Sequence, residues 1–417
     1  MPRVTTLRCR LVQCVSSSIS CRAVAFVALV LSACSGPEGA ATTTSPPPPP
    51  PPPSVQQLAM GERLFDLETF GGNGRTCATC HMRESGTITL EAVAARLVAS
   101  PTEPLFRHDG LDDGAAGTNR IVRDATIRVE RQLPSYVTLV GNPAQRSIVV
   151  NRGVPSTINA PALDGTSLPA LMLDLRNKDL QEQARDAIAG HAKGTITPTS
   201  EQLDAIAAFE QQDDRFFSSA GLHANARGGV RVELPPGTTE SERNGRLFFL
   251  ESGVDGTKQG MCGECHSGPN LNEVSQLGAR ETLQPVGARF SNAQVAERNA
   301  NNDPLFTFRV DNGAGDVRFI VLPDPGILLT ERQSSRHLTF FLAPGAHPAL
   351  TAGMFKTPSL WGIKNTPPYF HDNSAKTLRD VVDHYGDHLF KRFPFAGVFN
   401  TLSEQERLDI VAYLKLL

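Results

Sequence analysis

The sequence predicts a mainly α-helical protein made of two similar domains, with a small β-hairpin inserted in the first. One observation is a Cys-x-x-Cys-His pentad that occurs twice, at residues 77–81 and 262–266. A second is an amphipathic helix pattern before each pentad, and a third is a capped helix that closes each half of the chain. Because these features recur in the same order, the two halves are predicted to share one fold.

The N-terminal segment has the layout of an export signal. Residues 1–33 carry four arginines and no acidic residue, and they include an apolar run at 23–31 that begins after the last of these arginines. An uncleaved membrane anchor is the alternative, but the run is well short of a membrane span. Small residues precede Cys34, as in a bacterial lipoprotein, and Ser35 replaces the aspartate associated with inner-membrane retention. We therefore expect cleavage, lipidation of Cys34, and a location in the periplasm or cell envelope, anchored to the outer membrane.

Residues 34–54 are predicted to form an extended linker. Eight consecutive prolines at 46–53 make a semi-rigid run that would hold the globular part about 25 Å from the membrane. The formal net charge of the chain is −3, so nucleic acid is not expected as a partner. A small electron-donor protein with a basic docking face is the more suitable partner.

The first domain is predicted over residues 55–235. Its opening helix places Gly61 before an apolar pair, Leu64 and Phe65, and a capping box at 199–202 begins its closing helix. Between these helices, residues 125–150 are rich in β-branched side chains, which predicts the inserted hairpin.

The pentads supply the chemistry of covalent haem attachment. Two cysteines at this spacing can add across the two vinyl groups of one haem, and the adjacent histidine becomes an axial ligand of the iron. A thioredoxin-like redox pair or half of a zinc site also uses paired cysteines, but neither requires that histidine. The sequence therefore predicts two covalently attached haem c groups. The binding residues are Cys77, Cys80 and His81, and Cys262, Cys265 and His266.

The second domain is predicted over residues 236–417. Gly245 precedes Phe248 and Phe249 at the spacing seen in the first domain, and Ser403 with Glu406 caps the last helix. The apolar positions of that helix are Leu408, Ile410, Val411, Tyr413 and Leu414. Helix, pentad, irregular wrap and closing helix follow one another as in a cytochrome c domain. The predicted fold class is therefore two cytochrome c-like domains, each with one covalently bound haem, and little sheet.

Over most of residues 58–417 the chain resembles the bacterial dihaem cytochrome c peroxidase and MauG family. The most specific stretches are Lys-Thr-Pro-Ser-Leu at 356–360, Thr-Pro-Pro-Tyr-Phe-His-Asp at 366–372, and residues 377–385. A weaker match covers 152–159 and 179–184. The resemblance implies that the His81 haem reacts with hydrogen peroxide and that the His266 haem relays electrons from a small donor, a cytochrome c or a copper protein.

Two other functions remain open at this point. One is a MauG-like oxidase that removes electrons from a protein or a small molecule. The other is a non-catalytic dihaem electron carrier, in which both irons would be six-coordinate. A high-spin ferric signal in the resting protein, with a rapid spectral change on adding peroxide, would separate an enzyme from a carrier.

The resemblance also implies the sixth ligand of the second haem. The family places it fourteen residues after the histidine of the His-Asp motif, and this position after His371 is Tyr385. Peroxidases of the family carry methionine there, and MauG-like members carry tyrosine. A phenolate favours ferric iron and lowers the potential, whereas a thioether does the opposite. The alternatives are that Tyr385 is a core aromatic and that His384 or Met354 is the ligand.

The first haem needs an acid-base group beside an open coordination position. Relatives use a glutamine and a glutamate; Gln183 matches the glutamine, but the glutamate position falls near Lys193. His191 lies two residues away, and its ordinary pKa near 6.5 suits the same proton transfer. Gln183 and His191 are the predicted catalytic residues, and the alternative for His191 is a solvated position on a loop.

Two departures from the family bear on activity. Residues 125–152 contain no histidine, whereas relatives supply from this region a ligand that blocks the catalytic haem until the other haem is reduced. We therefore expect a catalytic haem that is open without prior reduction. Leu173 replaces a tryptophan that relatives hold between the haems, so haem-to-haem coupling is expected to be weaker or to use Trp361. The alternative for Trp361 is core packing.

The resemblance further implies a calcium ion between the haems. Backbone carbonyls in the stretch matched by Thr366 and Pro368 would bind it, and hard oxygen ligands suit calcium. The asparagine that completes this site in relatives falls near Gly153, with Asn151 close by.

Overall fold

The computed structural model describes residues 52–107, 119–163, 171–251, 257–282, 284–330, 346–390 and 401–417. They belong to one compact unit, Pro52–Leu417. The predicted signal peptide, Cys34 and nearly all of the linker lie outside the described residues. None of the helices in the described ranges combines the length and apolarity needed to cross a membrane.

Helices make up most of the regular structure. In chain order they are α1 (Val55–Leu67), α2 (Cys77–Cys80), α3 (Leu90–Ala99), α4 (Asn119–Asp124), α5 (Leu180–Gly190), α6 (Ser200–Gln212), α7 (Ala220–Ala226), α8 (Glu240–Arg246), α9 (Gln276–Thr282), α10 (Val295–Arg298), α11 (Leu378–His384) and α12 (Glu404–Leu414). A π-helical turn, Tyr385–Leu389, continues α11.

Three small antiparallel sheets accompany the helices. The strands are β1 (Thr126–Gln132), β2 (Val137–Leu139), β3 (Ser147–Gly153), β4 (Phe290–Ser291), β5 (Phe306–Asp311), β6 (Val317–Leu322) and β7 (Phe355–Lys356). β1 pairs with β3, β4 pairs with β7, and the third sheet has the order β2-β5-β6. The pairing of β1 with β3 confirms the inserted hairpin.

The sheet content exceeds the prediction, because β5 and β6 were not expected. Apolar and polar residues alternate along Phe306–Asp311, and a glycine-containing turn at 312–315 leads into β6, so the sequence does carry a hairpin signal. β2, from the first half of the chain, pairs with β5, from the second half. The two halves therefore share a sheet.

The closing helices begin where the capping boxes predict. The Thr199 hydroxyl accepts the Gln202 N–H at the start of α6, and the Ser403 hydroxyl accepts the Glu406 N–H at the start of α12. One apolar position predicted for α12 is wrong, because Leu408 is 47% exposed. It lies about 200° around the helix axis from buried Ile410.

The repeated glycine lets two helices approach closely in each half. At the packing of α1 on α6, a Cβ on Gly61 would lie 2.0 Å from the Ala205 carbonyl oxygen. At the packing of α8 on α12, a Cβ on Gly245 would lie 2.0 Å from the Asp409 carbonyl oxygen. Both contacts are far inside van der Waals range, so only glycine fits these crossings.

A Gly245→Ala substitution should lower stability by about 1–3 kcal/mol, because the added methyl forces α8 away from α12. Gly190, at the end of α5, is the matched control, since a Cβ there meets nothing within 4 Å. Gly190→Ala should be neutral or slightly stabilising. Thermal unfolding of both variants gives the comparison, and equal melting temperatures would contradict the packing argument.

Candidate functional site

Each histidine predicted to bind haem is held by the same local hydrogen bond. His81 Nδ1 lies 2.8 Å from the Gly86 carbonyl oxygen, and His266 Nδ1 lies 2.9 Å from the Leu271 carbonyl oxygen. In each case the acceptor is five residues further along the chain. With Nδ1 donating its proton to a carbonyl, Nε2 carries the lone pair that binds a metal.

The protonation state of these histidines also suits an iron ligand. Burial lowers the pKa of His266 to about 4, although its bond to Leu271 acts in the opposite direction. Burial likewise lowers the pKa of His81. Both imidazoles are therefore neutral at physiological pH, which is the form that coordinates iron.

The four cysteines of the pentads are half-buried, and within the described residues they form no disulfide with one another. Cys77 and Cys80 lie at the two ends of α2, one helical turn apart. Burial raises the pKa of Cys77 and of Cys265 to about 12, and it raises the pKa of Cys262 as well. Since a redox-active pair depends on the thiolate, these surroundings argue against thioredoxin-like chemistry.

The second pentad opens onto a large apolar cavity. The cavity measures about 560 Å³ and is lined by Cys262, Cys265, His266 and Tyr385, among others. That volume is within the range of cofactor sites. The two cysteines and the histidine on one wall are the donor set that a covalently bound haem requires.

Two buried amide oxygens support the same interpretation. Asn272 is 1% exposed and Gln284 is 6% exposed, and both line the cavity. Among the residues that the structure describes, the Asn272 Oδ1 and the Gln284 Oε1 have no hydrogen-bond partner. Buried polar groups are normally satisfied, so their partner should be a group that occupies the cavity. The residues of this site therefore fit a haem, and neither amide could be singled out from the sequence.

Tyr385 lies in the wall of the cavity that holds His266. It is the first residue of the π-helical turn after α11, and its ring packs near Phe370 and Phe390. Burial raises the pKa of its phenol. No hydrogen bond to its hydroxyl is formed within the part of the chain that the structure describes. Tyr385 is half-buried, and its place in the cavity wall would let the phenol reach a group bound there.

The two alternative ligands differ in availability. His384 Nε2 lies 2.7 Å from the Ala293 carbonyl oxygen, and its Nδ1 lies 3.2 Å from Arg298, so both ring nitrogens are engaged. Met354 lines the cavity, and its sulfur accepts a weak hydrogen bond from Gln284 at 3.9 Å. The geometry thus disfavours His384 and leaves Tyr385 and Met354 in the cavity wall.

His191 is positioned near the first pentad by a neighbouring loop. It caps the C-terminus of α5, and the Asn73 side chain donates to its carbonyl at 3.0 Å. It lies close enough to His81 for a charge on that histidine to lower the pKa of His191. Gln183 lies about 12 Å toward the other end of α5. The structure thus brings His191 near His81, while Gln183 occupies a half-buried position on the same helix.

The surroundings of His191 shift its pKa to about 3, well below the ordinary value on which the sequence argument relied. Burial is the largest cause, and the positive charges of Arg176 and Arg75 act in the same direction. The ring is therefore neutral at physiological pH. It can accept a hydrogen bond, but it does not hold a proton at rest.

Arg152, within the weaker family match, is the centre of a buried ion network. It donates to Asp324 at 2.6 Å and to Asp174 at 2.7 Å, and its side chain is 2% exposed. Arg131 and Arg176 also pair with Asp174. Burial alone would raise the pKa of Asp174, but Arg176, Arg152 and Arg131 hold it well below its usual range. The stabilisation is therefore present at neutral pH and is lost only as strong acid protonates the carboxylates.

Leu173, which stands where relatives hold a tryptophan, and Trp361 both line the cavity. Leu173 packs with Phe355, whose ring stacks on His371 with centroids 3.7 Å apart. Trp361 is buried in the core of the second half, lines the cavity, and donates from Nε1 to the Pro269 carbonyl at 2.9 Å. Trp361 thus packs in the core, as the alternative interpretation expects, and it also lines the cavity.

The residues predicted for calcium have mixed placements. Thr366 and Pro368 line the cavity. The Asn151 amide donates to Asp303 at 2.6 Å, and Gly153 packs directly on the Asn373 side chain. Calcium binding stays a prediction.

An Arg152→Met substitution should cost about 3–5 kcal/mol of stability, because it leaves Asp174 and Asp324 buried without their main partner. Arg309→Met removes an arginine from a solvent-exposed pair with Asp311 and should cost much less. Denaturant unfolding of both variants tests this difference. Losses of equal size would contradict a structural role for the buried network.

The chain was compared with known proteins. No protein-family model matches it. The methylamine utilization protein MauG of Methylorubrum extorquens is 40% identical over 76 residues, which are 17% of this chain and 22% of that protein. The chain thus spans about a fifth of the length of this curated relative.

Solved structures were compared as well. A MauG-like protein associated with microbial copper homeostasis is 18% identical, with a TM-score of 0.45, over 89% of this chain and 93% of that one. The dihaem peroxidase BthA of Burkholderia thailandensis is 16% identical, with a TM-score of 0.41, over 87% of this chain and 86% of that one. Over those 76 residues, the chain is thus similar in sequence to MauG.

Proposed function

We propose that the protein is a dihaem c-type peroxidase. It reduces hydrogen peroxide to water at the haem attached near His81, with two electrons that a small donor protein delivers through the haem attached near His266. The overall balance is one peroxide, two electrons and two protons for two waters. When bound, haem supplies the one-electron chemistry and the open coordination position that peroxide needs.

The observation that carries the proposal is the inequality of the two sites. Tyr385 lines the same cavity as His266, with a hydroxyl that is bonded to nothing in the described residues. The histidine that lies near His81 is His191, a neutral side chain at the end of a helix. A site with a sixth ligand suits electron relay, and a site with a proton acceptor and an open position suits peroxide.

At the first site, His81 would hold the haem through Nε2, because its Nδ1 is bonded to Gly86. His191, being uncharged at rest, would accept a hydrogen bond from peroxide at this site. With a pKa of about 3 its ring is a weak base, so a proton that it took from peroxide would be returned readily to the departing oxygen. Gln183, which donates and accepts hydrogen bonds, would orient the peroxide.

At the second site, Tyr385 and His266, which line the same cavity, would both hold the haem iron. An anionic phenolate ligand lowers the potential of this haem and makes it a poorer acceptor for ordinary donors. That property favours a second candidate, a MauG-like oxidase of a protein or small molecule. Leu173 counts against this candidate, because a side chain without a π-system cannot carry an oxidised intermediate between the sites.

The location is part of the proposal. A lipid on Cys34 and an extended proline linker would hold the enzyme in the periplasm at the outer membrane. There it would meet peroxide and a small cytochrome c or copper protein. A calcium ion at the Thr366 and Pro368 carbonyls would be a structural component.

The resting ferric protein is expected to show both a high-spin and a low-spin signal in low-temperature electron paramagnetic resonance. The high-spin signal belongs to the open first haem, since residues 125–152 supply no histidine to block it. Adding peroxide should change the spectrum rapidly, and a reduced small cytochrome or copper protein should support steady turnover. Only low-spin signals and no response to peroxide would instead indicate an electron carrier.

His191→Ala and Gln183→Ala should each slow the bimolecular reaction with peroxide, by about 10²–10⁴-fold if the side chain acts in proton transfer. Gln181→Ala is the matched control, because this glutamine of α5 donates to Asp204 on α6. Stopped-flow kinetics at equal haem content compares the three variants. Unchanged peroxide kinetics in His191→Ala would remove this residue from the mechanism.

A further inference from the structure

Two aspartates flank Tyr385 in the chain, and one arginine holds both. Arg407, on α12, donates from Nη1 to Asp383 at 2.5 Å. Its Nη2 donates to Asp387 at 2.8 Å, and its Nε donates to the Leu402 carbonyl at 3.2 Å. All three nitrogens of the guanidinium are therefore engaged. The arginine side chain is 11% exposed, whereas the side chains of Asp383 and Asp387 are 34% and 45% exposed. The guanidinium is therefore covered by protein, and its two acceptors are partly in contact with solvent.

The spacing of the aspartates makes this contact a clamp on one face of the segment. Asp383 lies in α11 and Asp387 lies four residues later in the π-helical turn, with Tyr385 midway between them. Residues four apart lie on one side of a helix, and a residue two positions from each points away from that side. Arg407 thus binds one face of this helical segment, and Tyr385 extends from the opposite face into the cavity wall.

Gly386, which has no side chain, lets the Arg407 guanidinium approach the backbone closely. A Cβ at this position would lie 2.9 Å from Arg407 Nη2 and 3.0 Å from its Cζ. The guanidinium consequently rests directly on the backbone that follows Tyr385. A displacement of Arg407 would move this backbone, and the tyrosine with it.

The segment needs such a contact because its backbone departs from the α-helix. The Phe390 N–H donates to the Tyr385 carbonyl across five residues. This π-helical turn is a rare conformation that occurs frequently at functional sites. Without the arginine, the two like-charged carboxylates would also repel each other.

From these contacts we infer that Arg407 is a positioning residue that fixes Tyr385 as the axial ligand of the second haem. The inference rests on the proposed coordination by Tyr385. It goes beyond that proposal by assigning the ligand geometry to a residue of the closing helix, more than twenty positions further along the chain.

The test uses the full-length protein with both haems attached. Arg407→Met and Asp387→Asn weaken the clamp from opposite sides. Arg379→Met is the matched control, because Arg379 also pairs with Asp383 and Glu404 but contacts neither Asp387 nor Gly386 in the described residues. Tyr385→Phe removes the proposed ligand itself. The readouts are the phenolate-to-iron absorption band, the low-spin resonance signal and the midpoint potential of the second haem.

If Arg407 positions Tyr385, both clamp variants lose the absorption band in part or in full and raise the potential of the second haem, as Tyr385→Phe does. Arg379→Met keeps the spectrum of the parent protein. Arg407→Lys keeps only part of the absorption band, because a lysine cannot bond both aspartates at once. The His81 haem keeps its signals in every variant, which separates repositioning from unfolding. Asp387→Asn, at an exposed side chain, keeps the test valid if Arg407→Met does not fold.

Two results would overturn the inference, and they are distinguishable. If Tyr385→Phe changes the spectrum but Arg407→Met and Asp387→Asn do not, the ligand is correct and Arg407 has no positioning role. If Tyr385→Phe leaves the spectrum unchanged, the coordination itself is wrong and the role of Arg407 falls with it.

Discussion

The buried contact of Arg152 with Asp174 and Asp324 fixes the relative position of the two candidate sites. On one side its guanidinium lies 5.8 Å from the ring centroid of Phe355, which stacks on His371 in the cavity wall. On the other side Asp174 holds Arg176, whose charge lowers the pKa of His191. Buried charges are tolerated only when paired, so the arrangement is maintained as a whole or lost as a whole.

The two sites differ on the side opposite the histidines. His81 and His266 donate to a carbonyl five residues ahead at nearly equal distances, so each imidazole would present Nε2 to a bound metal in the same way. Any difference in reactivity has to arise elsewhere. Tyr385 places a phenol in the wall of the cavity that His266 lines, whereas the side chain near His81 is His191, whose ring is neutral. The same attachment motif can thus serve two roles because the remainder of each pocket is chemically different.

Features that depend on neighbouring residues could be predicted from the sequence. The pentads, the capping boxes and the glycine of each helix crossing, as at Gly245, each occupy a few consecutive positions. Features that depend on distant partners could not. The pKa of His191 depends on Arg176 and Arg75, which meet it only in the fold. The hydrogen bonds of Arg407 beside Tyr385 depend on two aspartates that lie far from it in the sequence. β5 and β6 carried an alternating pattern, but the choice of β2 as their neighbour had no local signal.

The pairing of β2 with β5 has a consequence for how the chain acquires its structure. The two strands come from opposite halves of the sequence, so this sheet closes only after both halves are present. Contacts between distant positions require the closure of a long loop and slow the folding rate. The first pentad lies far ahead of β5 in the order of synthesis. A chain that is still being synthesised would therefore present that pentad while this sheet is open, so its cysteines are accessible before the fold is complete.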